Sequence, residues 1–187
     1  MKTESNVMYI IRLAATLLII TSLVAAALAG VNSITAPAIA KLTAEKTQAA
    51  IQAVLPGGGE EMSDLPAVDY EGADLVSKVY KGENGYAIEV TPGGFDNTIT
   101  MMVGVDTEGK VLGISIIKHT ETAGLGAVAA AGTPAGESFR GQFVGQSGSV
   151  AVTKDGGAMD AITGATITSR AICVGVNAAL ACAATLG

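Results

Sequence analysis

A chain of 187 residues that is 49% hydrophobic, with a mean hydropathy of +0.47, can hold one membrane segment and one domain with a real core, and is too short for more. Its formal net charge is −6, and setting aside Lys2, Glu4 and Arg12 leaves 9 basic and 16 acidic residues, or −7, for the remainder. With no Trp, three Phe and no basic run interleaved with aromatics, this balance argues against nucleic acid as a partner.

Residues 13–31 form a run of 19 without a charge, polar only at Thr16, Thr21 and Ser22. At about 1.5 Å per residue such a helix spans the bilayer core of about 30 Å. Lys2 and Arg12 flank its N-terminal side, so the positive-inside rule puts the N-terminus in the cytoplasm and the rest of the chain across the membrane. Ala27-Leu28-Ala29 mimics a signal-peptidase site, but the apolar run exceeds the length of a signal h-region, which favours a retained anchor. A second helical pattern starts near Thr35 and Pro37, with Ile39, Leu42, Ala50, Ile51, Val54 and Leu55 apolar, and reads as a stalk. Pro56-Gly57-Gly58-Gly59, then Glu60, Glu61 and Asp64, read as a helix stop and exposed loop. The expected organisation is a cytoplasmic N-terminus (1–12), a transmembrane helix (13–31), a stalk and linker (32–64) and an extracytoplasmic domain (65–187).

Within that domain, residues 76–90 read as a hairpin turning at 82–85, and 99–105 with 111–117 as a second one. Closely spaced hairpins imply an antiparallel sheet, and a C-terminal helical pattern from Ser169 to about Leu186 should pack on it through Ile172, Val176, Ala179, Leu180 and Ala183. The fold class is therefore α+β, an antiparallel sheet with packed helices preceded by one N-terminal transmembrane helix. The Gly-rich segment 127–149 reads as an irregular excursion anchored by Phe139 and Phe143, and 150–152 as one more short strand. Cys173 and Cys182, nine residues apart on one helix, fall on roughly opposite faces about 13 Å apart along the axis, so they cannot bridge and read as small buried apolar residues. One His and this Cys spacing give no metal site, and no catalytic triad presents itself.

Chemistry concentrates in Asp160-Ala161-Ile162-Thr163-Gly164-Ala165-Thr166-Ile167-Thr168-Ser169. Gly164 and Ala165 allow close backbone approach, Thr168 or Ser169 can cap the following helix, and the free N–H groups at a helix start favour an anion, with the Thr166 hydroxyl at its mouth. Upstream, His119-Thr120-Glu121-Thr122-Ala123-Gly124-Leu125-Gly126 leaves the last long strand as a loop able to wrap a ligand, and Glu121 could orient His119.

The first string resembles the flavinylation motif of the FMN-binding domain family, in which an Asp, a Ser or Thr, then Gly-Ala-Thr carry FMN joined through its phosphate to the last Thr. The second resembles that family's H-x-E-T-P-G-L-G segment, with Ala123 where Pro is usual. Both motifs in this order, with one N-terminal hydrophobic segment, make nearly the whole chain similar to the G-subunit family of the Rnf electron transport complex. The resemblance implies FMN esterified to Thr166, with Thr163, Gly164, Ala165, Thr168 and Ser169 around the attachment point. It also implies that His119, Glu121, Thr122 and Leu125 lie near the flavin, Leu125 as an apolar face and His119 as a tuner of its potential. Asp160 would be read by a separate flavin transferase that uses magnesium. The implied partners are the other membrane subunits of an Rnf complex that couples ferredoxin:NAD electron transfer to ion movement. The C subunit of a Na+-translocating NADH:quinone reductase shares both motifs, and a non-redox extracytoplasmic module could use the same fold. An ester bond would keep the cofactor outside the cytoplasm independently of affinity, and it lowers the phosphate charge from about −2 to −1.

Overall fold

The computed structural model describes residues 2–63 and 70–186, with side chains from residue 7 onward, and divides into units Met1–Ala44 and Glu45–Gly187. Asp64 of the expected linker, the expected domain start at Leu65 and the side chain of Lys2 lie outside the described residues.

In the first unit, helix α1 (Lys2–Val54) begins and carries on into the second without interruption. Its stretch Val7–Val54 is long and apolar enough to cross a membrane. The sequence suggested a fresh helix start near Thr35 and Pro37, but Pro37 lies inside α1. Proline forfeits one hydrogen bond there. The neighbouring hydroxyls do not cap a new helix; Ser33 and Thr35 donate back to the Gly30 and Val31 carbonyls at 2.8 and 3.0 Å, and the surrounding Ala and Leu residues are strong helix formers.

The second unit is built on a five-stranded antiparallel meander in sequential order: β1 (Glu60–Glu61), β2 (Val76–Gly82), β3 (Gly85–Val90), β4 (Thr100–Asp106) and β5 (Val111–Lys118). Successive strand residues point to opposite faces. Here both faces are covered. Val79, Ile88, Val90, Met101 and Val103 face one core, shared with α3 (Thr166–Ala184) and with Phe139 and Phe143. Tyr80, Ala87 and Met102, their immediate neighbours in sequence, face a second core formed with Ala50, Ile51 and Val54 from the end of α1 and with Leu55 just beyond it. The segment read as a stalk thus supplies the sheet's second helical layer, while Ile39 and Leu42 remain exposed. On the other face, Ile172, Val176, Ala179, Leu180 and Ala183 of α3 are buried as their spacing predicted, and so are both cysteines. Burial pushes the Cys173 thiol up to about 11, so it is an inert packing group.

Three local expectations change. Glu60 and Glu61 are exposed, yet they pair with Lys81 and Tyr80 as an edge strand instead of forming a loop. Within the excursion after β5 lie a 3-10 helix (Gly126–Ala130) and helix α2 (Pro134–Gly141). Thr133 accepts from the Gly136 N–H to cap α2, and Phe139 and Phe143 meet edge to face at 5.5 Å. Finally, residues 150–152 form no strand. Val152 makes a single parallel bridge to Met159, and the Asn177 side chain of α3 holds Val150, accepting from Val150 N at 2.8 Å and donating to Val150 O at 3.0 Å.

Candidate functional site

The motif that opens α3 folds as a tight turn followed directly by the helix. The Ala165 N–H bonds to the Ile162 carbonyl at 2.9 Å, and Gly164 takes φ +76°, a left-handed conformation that side chains other than glycine resist. Helix α3 begins at Thr166, three residues earlier than the sequence suggested, with Ala165 as an N-cap that has no side-chain bond. Thr168 and Ser169 are therefore first-turn residues and not caps. Ser169 Oγ ties the turn together, accepting from Ile162 N and donating to Ala165 O, both at 3.0 Å. Thr168 donates its hydroxyl to Glu121 Oε2. The backbone N–H groups that open α3 precede its first i to i−4 bond, made by Ser169 N to Ala165 O, and point out of the helix end.

Glu121 organises the opposite wall. It is 8% exposed, and besides holding Thr168 it accepts the Phe95 N–H at Oε1, at 2.9 Å. One carboxylate thus joins three segments distant in sequence: the turn carrying Phe95, the loop after β5 and the first turn of α3. A Cβ on Gly126 would collide with both Glu121 Oε2 and Thr168 Oγ1, so only glycine lets this bond form where it does. The expected pairing of Glu121 with His119 is not made, because both oxygens are engaged elsewhere, and His119 Nδ1 is buried without a hydrogen-bond partner.

These elements enclose a cavity of about 300 Å3. Of the residues singled out by sequence, Glu121, Thr122, Leu125, Gly164, Ala165, Thr166 and Thr168 line it. Thr163, Ser169, His119 and Asp160 do not. Thr163 is the exposed corner of the turn, and Ser169 is buried behind it. Asp160 is exposed, and its backbone is held by the Gln142 amide, which accepts from Asp160 N at 2.7 Å and donates to Asp160 O at 3.2 Å. Its carboxylate has no hydrogen bond among the described residues and faces solvent.

Sequence reasoning missed Lys154 and Phe95, and carried Gly126 and Ile167 only as members of the two motifs; all four are in the cavity wall. Lys154 Nζ donates to Thr166 Oγ1 at 3.4 Å from a short turn whose Lys-Asp-Gly-Gly string carries no sign of a ligand. Phe95 is 66% exposed and, with Leu125 at 42% and Ile167 at 49%, gives the cavity an apolar rim. A Phe in a polar, Gly-flanked turn, in a chain with only three, was the available signal. A larger groove of about 930 Å3 beside the end of α1 is lined by glycines, glutamines and three charged residues, without a comparable set of hydroxyls.

A hydroxyl at a helix start, free N–H donors, one lysine and an apolar rim suit a ligand with an anionic end and a planar apolar body. At about 300 Å3 the cavity is at the lower limit for small-molecule sites, so such a ligand would be only partly enclosed. FMN, with a phosphate at one end and a planar ring system at the other, fits that description. Residues 94–181, which contain the whole cavity wall, match the model of the FMN-binding domain family. The chain is 31% identical to the G subunit of the Na+-translocating ferredoxin:NAD+ oxidoreductase complex of Acetobacterium woodii, over 94% of this chain and 92% of that one. It is 33% identical to the G subunit of the ion-translocating oxidoreductase complex of Methanosarcina acetivorans (88% and 89% covered), and 37% identical to that of Yersinia pestis (80% and 79%). The chain belongs to the G-subunit family of Rnf-type ion-translocating oxidoreductase complexes.

Proposed function

We propose that this chain is a membrane-anchored electron carrier whose FMN is esterified through its phosphate to Thr166, serving an Rnf complex that passes electrons between ferredoxin and NAD and couples this to ion transport. The observation that carries the reading is the position of Thr166: first residue of α3, hydroxyl at the cavity, lysine beside it. Gly164, Ala165 and the α3 N–H groups would hold the phosphate, and Phe95, Leu125 and Ile167 would face the ring system. Bound there, FMN supplies one- and two-electron redox chemistry, while the protein fixes its place and electrostatics. The exposed Asp160 carboxylate suits recognition by a flavin transferase acting from outside. Residues 13–31 would cross the membrane with the N-terminus in the cytoplasm and the domain of 65–187 outside, in contact with other membrane subunits of the complex.

The test is intact mass after maturation with the transferase. The chain should gain one FMN less water, about 438 Da, and Thr166→Ala should abolish the gain while Thr166→Ser keeps some of it. Flavin mapped to Thr163 or Thr168 refutes the assignment.

A further inference from the structure

Lys154 occupies the middle of a short 3-10 turn (Thr153–Asp155) held at both ends. Thr153 N bonds to Met159 O at 2.9 Å, and the Asp155 carboxylate takes both Arg170 Nε and an Arg170 terminal nitrogen at 2.6 Å each. Arg170 lies one turn along α3 from Thr166. The same helical turn therefore fixes the hydroxyl and, through the Arg170–Asp155 pair, the backbone that carries the lysine. Asp155 neutralises Arg170, but the Lys154 ammonium makes no ion pair among the described residues; its hydrogen bond goes to Thr166 Oγ1. In a chain of net charge −6, Lys154 brings a positive charge to one hydroxyl in a cavity wall.

We infer that Lys154 is the counter-cation of the phosphodiester on Thr166, a positioning residue that holds the hydroxyl oxygen at the cavity before attachment and pairs with the single diester charge afterwards. The inference rests on Thr166 being the attachment site. In the transfer, Thr166 Oγ1 forms a new bond to the flavin-side phosphorus of FAD, the bond from that phosphorus to the adenylate oxygen breaks, the hydroxyl proton is released, and AMP leaves. Lys154 donates hydrogen bonds throughout and exchanges no proton. Because it is exposed, its effect is moderate and screened by salt.

The experiment follows the gain of about 438 Da by intact mass, with purified transferase, FAD and magnesium at low and high ionic strength. Lys154→Arg should load within about twofold of wild type, Lys154→Met roughly two- to fivefold more slowly, and Lys154→Glu more slowly still with partial recovery in high salt. In the loaded chain, the 31P resonance of the diester should move in Lys154→Met and return in Lys154→Arg. Wild-type loading matched by Lys154→Met and Lys154→Glu, with an unchanged 31P resonance, overturns the role of Lys154 alone. Equal, salt-insensitive slowing in all three variants also overturns it, since that marks a structural effect. A wild-type chain that gains no mass overturns the attachment reading itself, and the inference with it.

Discussion

Glu121→Ala removes the carboxylate that joins the two motifs, and its cost can be worked from what it leaves behind. Thr168 is 2% exposed, and its hydroxyl loses a charged acceptor, at about 1–3 kcal/mol. The Phe95 N–H belongs to an exposed turn and can recover a water, so its loss adds only about 0.5 kcal/mol. The expected total is about 1.5–3.5 kcal/mol. Glu121→Gln should cost less, about 1 kcal/mol, because the amide keeps an acceptor for Phe95 and can donate to Thr168 Oγ1. Urea unfolding of the detergent-solubilised, flavin-free chain, followed by circular dichroism, measures these differences without a cofactor contribution. Adding Thr168→Val completes a double-mutant cycle, with an expected coupling of about 1–2 kcal/mol between the two positions. A loss below about 0.5 kcal/mol for Glu121→Ala, or a coupling near zero, would refute the claim that this bond holds the start of α3.

Gly164→Ala forces a side chain into the left-handed turn and sets a Cβ 3.0 Å from Leu125 Cδ2, so a loss of about 1–2 kcal/mol in unfolding free energy is expected, with slower flavin loading by intact mass. Arg170 holds the Asp155 carboxyl below its ordinary range through their hydrogen bonds, so the pair stabilises the fold above the unfolded-state value of about 4 and loses that contribution as pH falls through the lower folded value. The stability difference between wild type and Asp155→Asn should therefore be present at neutral pH and shrink below about pH 4. A gap that is constant across that range would show that the charge of Asp155 is not what holds the turn.

The sheet was legible because short apolar runs rich in Val, Ile and Tyr are separated by glycine-containing turns, and α3 because its apolar positions recur at helical spacing. Residues 150–152 look like a strand by the same signs, but they find only a single bridge, Val152 to Met159, and at Val150 a side chain, Asn177, which no local pattern reveals. In the cavity, the residues belonging to a motif were legible and those brought in by topology were not. Lys154 and Phe95 reach Thr166 and Glu121 through turns whose local sequences describe only their own bends. His119 belongs to the same motif as Glu121 but is not among the residues that line the cavity.

Ala50, Ile51, Val54 and Leu55 close the sheet's second face, so the place to cut a water-soluble fragment is set by packing and not by hydropathy. A fragment starting after Pro56, where the sequence changes from helix to glycine loop, would leave Tyr80, Ala87 and Met102 bare and invite association through that face. One starting at Glu45 keeps the layer intact while discarding the exposed apolar length of the anchor. Any processing that frees this domain from its membrane must likewise leave the last three turns of the anchor helix attached, or it releases a sheet with one face uncovered.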